Sequence, residues 1–74
     1  MTLADLETGA VATIVRIEGE GAFRRHLLEL GLVGGTPVRR VGRAPLGDPY
    51  SFSVRGAVLT LRRREAARVV VELP

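Results

Sequence analysis

The sequence predicts a small, mostly β domain: an antiparallel barrel of about five strands with one helix inserted after the first strand. Five short segments have the β-branched composition or the alternation typical of strands, whereas only one segment has a helical period. The chain has 74 residues, so we expect a single domain over residues 1–74 with a small core. A barrel suits so short a chain because closure removes exposed sheet edges.

Three apolar residues give the helix its period. Phe23, Leu27 and Leu30 fall within about 60° of one another on a helical wheel, so this stripe is expected to face the core. Gly31 follows where helices commonly end in a left-handed residue, and we expect its φ to be positive. Leu28 lies about 140° from Phe23, on the outer flank. An apolar residue there must pack under another segment or meet a partner.

Strands are predicted on both sides of this helix. A short turn at Thr2–Asp5 precedes the first strand, and one polar helical turn is expected within residues 62–68. Tyr50, Phe52 and Val54 alternate with polar residues in the clearest strand pattern of the chain. The predicted strands cover residues 11–17, 36–43, 50–55, 57–61 and 69–73.

Alternation also predicts which strand residues share a face. In the first strand, Thr13, Val15 and Ile17 are expected on one side. In the second strand, Val38 and Val41 are the apolar positions. Together with the inserted helix, this set of strands indicates an SH3-like barrel.

Composition limits the classes of function. The chain has no cysteine, which excludes disulfides, thiolate nucleophiles and cysteine-based zinc motifs and agrees with a reducing compartment. No apolar run is long enough to span a bilayer and no signal peptide is visible, so we expect a cytoplasmic protein without direct membrane insertion.

The net charge of +3 comes entirely from arginine, because none of the eleven basic residues is lysine. Basic runs occur at Arg39–Arg40 and Arg62–Arg64, and no aromatic residue alternates with them as a base-stacking surface requires. A solvated face is therefore favoured over a nucleic-acid footprint. The alternative that stays open is a basic SH3-like barrel that binds RNA or DNA.

The sequence offers no catalytic constellation. A phosphate-binding P-loop needs lysine, and His26 is the only imidazole available to a triad. His26 and Glu29 have the i, i+3 spacing that two metal ligands can use, but stable zinc sites need three or four ligands. We expect no enzyme activity, no cofactor and no metal, apart from an adventitious ion at His26 and Glu29 that a neighbouring molecule completes.

A loop bounded by two prolines follows the second predicted strand. Pro45 and Pro49 fix the backbone on both sides of Leu46, and Gly47 permits a sharp reversal. Asp48 is expected to hold the turn by accepting a hydrogen bond from the backbone N–H two residues on. A rigid loop that presents leucine loses little entropy on binding, so Pro45 to Asp48 are candidate partner-binding residues.

Leu28 and Leu32 are the other apolar residues at positions expected to be exposed, and we include both in the candidate contact. The alternative is that these leucines close the end of the barrel against one another or against Leu3 and Leu6. Self-association into a weak homo-oligomer is also left open by the sequence.

Several motifs together resemble the FeoA family of bacterial ferrous iron transport. The most specific are LLELG at Leu27 to Gly31, Gly35 before the second strand, APLGDP at Ala44 to Pro49, and LRxxEA at Leu61 to Ala66. The resemblance covers nearly the whole chain. One departure is Gly34, where the family often has proline.

This resemblance implies an SH3-like barrel with an inserted helix, in agreement with the reading of the residues. It also implies a cytoplasmic accessory or regulator of Fe(II) uptake that binds the cytoplasmic part of FeoB, a membrane transporter with its own G-protein domain. Nucleic acid is not the expected partner.

Overall fold

The computed structural model describes all 74 residues. It contains five strands, one nine-residue helix and two shorter helical segments. In chain order the elements are a 3₁₀ turn (Leu3–Asp5), β1 (Val11–Ile17), α1 (Gly21–Glu29), β2 (Pro37–Arg43), β3 (Tyr50–Val54), β4 (Ala57–Leu61), α2 (Arg63–Ala66) and β5 (Val69–Glu72). The predicted strands and both short turns are confirmed, and no strand end differs by more than one residue.

The five strands form one sheet in the order β4-β3-β2-β1-β5, and every neighbouring pair is antiparallel. Fifteen apolar residues form one core cluster. The predicted fold class, a small antiparallel β domain with one helix between the first two strands, is therefore confirmed.

Strict alternation along β1 was the wrong prediction. Ala12, Ile14 and Ile17 are all buried, although the last is an odd number of residues from the other two. The pairing of β1 with β5 shifts register between Ile14 and Arg16. A bulge of this kind adds one residue to one strand and turns the following side chains to the other face.

The second inward residue of β2 is Arg40 and not the predicted Val41. The pairing with β3 shifts between Arg40 and Gly42. Arg40 precedes that shift and lies two residues after the buried Val38, on the same face of the strand, so it is only 7% exposed, whereas Val41 is 44% exposed. The Arg40 Nη1 donates a 2.6 Å hydrogen bond to the Leu6 carbonyl, and its guanidinium lies 4.1 Å from the centre of the Tyr50 ring. Arg40 is therefore a buried structural residue and not part of a solvated basic face.

Helix α1 covers the core with the predicted stripe. Leu27 is fully buried, and Phe23 and Leu30 are half-buried against the core cluster. Gly31 has φ +93°, as predicted for the left-handed residue that ends the helix. The chain then turns inward, and Leu32 is fully buried.

Candidate functional site

The loop between β2 and β3 is closed by two backbone hydrogen bonds. The Ala44 N–H donates to the Pro49 carbonyl at 2.9 Å, and the Gly47 N–H donates to the Ala44 carbonyl at 2.8 Å. The second bond closes a β-turn whose central residues are Pro45 and Leu46. The peptide bond that leads out of the loop, Asp48–Pro49, is cis.

A side-chain contact attaches this loop to α2. The Asp48 Oδ1 accepts a 2.9 Å hydrogen bond from the Arg63 backbone N–H. The predicted bond from Asp48 to the N–H two residues on is therefore wrong, because its carboxylate instead satisfies a free donor in the first turn of α2. The loop is thus held both within itself and to the body of the domain.

Leu46 lies at the tip of this braced loop. It is 98% exposed, far more than the next large apolar residue, Val58, at 67%. An apolar side chain held this far from the core contributes nothing to packing in the isolated chain. The geometry suits a contact with another molecule, since the backbone that presents Leu46 is already ordered.

The structure does not assemble the other two candidate leucines around Leu46. Leu32 is fully buried in the core, so it cannot offer its side chain to a partner. This corrects its assignment as a binding residue and agrees with the alternative that it closes the barrel. Leu28 is half-buried on α1 and packs against the core cluster, and no hydrogen bond joins α1 to the β2–β3 loop.

His26 and Glu29 lie exposed on the last turns of α1. No group of three or more histidine, cysteine, aspartate or glutamate residues is brought together anywhere in the chain. These two side chains can therefore supply two metal ligands but not a closed tetrahedral set. None of the helices combines the length and the apolar character that crossing a bilayer requires.

A basic cleft between the start of α1 and α2 was missed by the sequence reasoning. It has a volume of about 390 Å³, and Phe23, Arg64 and Arg68 line it with Gly19 and Glu20. The only ion pair in the protein joins Arg16 to Glu18, so the cleft arginines have no carboxylate partner. The Arg62–Arg64 run was the one sign of this cleft in the sequence. Its position opposite Phe23 could not be predicted, because it depends on how α2 packs.

Comparison with known proteins gives a single family. The profile of the FeoA domain family matches residues 1–73. A relative in Porphyromonas gingivalis (strain ATCC BAA-308 / W83), an Fe(2+) transport protein A/Fe(2+) transporter FeoB fusion protein, is 45% identical over 73 residues. That match covers 99% of this chain but 9% of the fusion protein.

Two solved structures are similar over nearly the whole chain. The solution structure of iron(II) transport protein A from Clostridium thermocellum has a TM-score of 0.93 and 38% identity; the match covers 99% of this chain and 45% of that one. The crystal structure of the zinc complex of FeoA from Stenotrophomonas maltophilia, an SH3-domain protein, has a TM-score of 0.86 and 37% identity. That match covers 97% of this chain and 89% of the other.

Proposed function

Because this chain belongs to the FeoA domain family, which is linked to ferrous iron transport, we propose that it is a non-enzymatic accessory domain that binds the cytoplasmic part of a FeoB-type transporter. The fused relative supports this partner, since a single polypeptide there carries both proteins. The proposed location is the cytoplasm, where that part of the transporter lies.

The single observation that carries the binding role is Leu46, 98% exposed on a loop that three hydrogen bonds hold in place. Binding anchors are commonly apolar side chains that become fully desolvated in a partner pocket. We propose Leu46 as that anchor, with Pro45 and Gly47 shaping the turn and Asp48 fixing it to α2.

A non-enzymatic role is supported by the side chains available. The only imidazole, His26, is exposed and takes part in no hydrogen bond, and the chain has no cysteine. A nucleophile needs an adjacent, oriented base, and the one hydroxyl that donates to a carboxylate, Thr2 to Asp5 at 3.3 Å, is an exposed pair that caps the first 3₁₀ turn.

The nucleic-acid alternative receives less support. Single-strand binding needs aromatic rings on which bases can stack. Two of the three aromatic residues, Tyr50 and Phe52, are buried, and Phe23 is half-buried. Retention on nucleic acid that falls steeply with salt would favour this alternative.

The proposed function is tested by titrating the full-length transporter, purified in detergent, with this protein and measuring binding by a label on the smaller partner. We expect saturable binding that single-stranded RNA or DNA does not compete. No binding to the transporter, together with salt-dependent binding to nucleic acid, would contradict the proposal.

A further inference from the structure

The two edges of the sheet differ in whether another segment of the chain covers them. At one edge, the outer side of β5 is covered by the N-terminal residues: Thr2 forms a bridge with Val70, and the Val71 N–H donates to the Met1 carbonyl at 3.0 Å. At the other edge, β4 pairs with β3 alone. One edge of the sheet is therefore closed by the chain itself and the other is left open.

The hairpin geometry shows which backbone groups of β4 are open. Arg55 and Gly56 form the two-residue turn between β3 and β4, with φ +51° and +82°, as in a type I′ turn. The residues that flank such a turn, Val54 and Ala57, form a hydrogen-bonded pair, and bonded and non-bonded pairs alternate along the hairpin from there. The backbone groups of alternate β4 residues therefore point away from β3.

Val58 and Thr60 are those alternate residues. Neither takes part in any backbone hydrogen bond outside the strand pairs. The edge ends at Arg62, whose N–H donates to the Glu65 Oε1 at 2.8 Å and whose carbonyl accepts from the first turn of α2. The open edge therefore consists of four groups, the N–H and the carbonyl of Val58 and of Thr60.

Nothing in β4 protects this edge against pairing. Exposed edges are usually blocked by a charged residue, a proline or a bulge. The five residues of β4, AVLTL, contain no charge and no proline, and the pairing with β3 is regular throughout. Val58 adds an apolar side chain that is 67% exposed. Such an edge can accept an extended segment as an added strand.

The flanking charges decide what can occupy the edge. A second copy would use all four groups only in the antiparallel register that pairs Val58 with the second copy's Thr60. That register brings Arg55, in the turn before β4, towards the second copy's Arg63, in the helix just after β4, so like charges approach at both ends of the pair. The nearby carboxylates of Asp48 and Glu65 offset this only in part, because three arginines, Arg62 to Arg64, lie at the same end of the edge.

We propose that β4 is a docking edge for an extended segment of the partner protein, with about five uncharged residues between acidic ends. The segment adds a sixth strand to the sheet, its backbone bonding to Val58 and Thr60 and its acidic ends meeting Arg55 and Arg62–Arg64. This proposal rests on the proposed function in one respect: the transporter is taken to be the protein that carries the segment.

The first test uses a synthetic peptide of alternating valine and threonine with glutamate at both ends, and a control peptide with arginine at both ends. We expect the glutamate peptide to slow amide exchange at Val58 and Thr60 by about tenfold in the ¹⁵N-labelled protein, and the arginine peptide to leave it unchanged. Unchanged exchange with the glutamate peptide, or equal protection by both, would overturn the proposal. So would protection that grows with protein concentration alone, which would assign the edge to a second copy.

The second test uses the full-length transporter in detergent. Thr60→Pro removes an edge donor without removing a bond to β3, whereas Thr60→Val keeps the donor. We expect Thr60→Pro to weaken binding by about tenfold or more and Thr60→Val to change it by less than about twofold, with folding checked by the amide spectrum. Val58→Pro, which removes the other edge donor, is the second edge variant.

The outcomes of the second test separate the two proposals. If the transporter binds the wild type and folded Thr60→Pro and Val58→Pro equally well, the docking edge is overturned and the proposed function stands. If the transporter does not bind the wild type, the proposed function fails. The exchange experiment with the peptides then tests by itself whether β4 is a docking edge.

Discussion

The Asp48 carboxylate accepts a 2.9 Å hydrogen bond from the Arg63 backbone N–H, across 15 positions of sequence. This bond joins the loop that presents Leu46 to the first turn of α2. The loop therefore does not depend on its two internal backbone bonds alone to keep its shape. Leu61, the last residue of β4, pairs with Tyr50 at the exit of the loop. The tip of the loop therefore lies at the same end of the domain as the C-terminal end of β4.

Removing this link should loosen the loop. We expect Asp48→Ala to lower the free energy of unfolding by about 1 kcal/mol, because a charge-assisted hydrogen bond at the exposed start of α2 is lost. Asp48→Asn keeps an acceptor oxygen and should cost clearly less. The measurement is urea unfolding of both variants. Equal stability of wild type and Asp48→Ala would show that the link does not hold the loop.

Gly31 should tolerate few other residues. Its φ is +93°, and no atom lies within 4 Å of the position that a Cβ would take, so a substitution is opposed by the backbone and not by crowding. We expect Gly31→Val to destabilise the domain by about 1 kcal/mol or more, since β-branched residues fit the left-handed region badly. Gly31→Asn is the control and should cost less. An unchanged denaturation midpoint for Gly31→Val would contradict this.

Arg40 and Arg39 should differ sharply although they are neighbours. Arg40 is buried and donates to the Leu6 carbonyl, whereas Arg39 is exposed. We expect Arg40→Ala to destabilise by about 2 kcal/mol or more, because it empties a packed site and leaves a buried carbonyl without its donor. Arg39→Ala should stay within about 0.5 kcal/mol. Similar thermal shifts in the two variants would show that Arg40 has no structural role.

No tight stoichiometric metal site is predicted. His26 and Glu29 supply two ligands, and no third titratable ligand is grouped with them. We expect calorimetry with Zn²⁺ to show only weak binding, and His26→Ala to remove what binding there is. One ion bound per chain at submicromolar affinity would contradict this, whereas zinc shared between two molecules in a crystal would not.

The strands and the end of α1 could be predicted because they depend on local pattern. The alternation at Tyr50, Phe52 and Val54 is enough to indicate a strand. The glycine at position 31 is enough to indicate a left-handed residue at the end of a helix. The burial of Ile17 beside Ala12 and Ile14 could not be predicted, because the bulge before it is a property of two paired strands. Arg40 lies on the inward face by alternation from Val38, but a charged side chain is seldom buried, so Val41 was expected there instead.

The candidate site was predicted only in part, for a similar reason. The exposed tip at Leu46 follows from a short loop bounded by two prolines, as the sequence indicated. The burial of Leu32 and the bond from Asp48 to Arg63 depend on segments that are distant in sequence and meet only after folding. The open edge of β4 likewise depends on the order of strands in the sheet.

The central claim is that Leu46 is a binding anchor and not a core residue. Leu46→Asp should leave the free energy of unfolding within about 0.5 kcal/mol of wild type, because the side chain is 98% exposed. It should weaken binding to the full-length transporter by about 1 kcal/mol or more, roughly fivefold. Leu73→Asp, the same change at another exposed leucine, is the matched control and should bind normally.

The most direct measurement is the affinity of Leu46→Asp for the transporter, taken beside its thermal midpoint. We expect weaker binding and lower iron uptake in cells at an unchanged midpoint. Wild-type affinity at an unchanged midpoint would show that Leu46 is not a binding anchor, and a collapsed midpoint would place Leu46 in the core and remove the loop as the binding site.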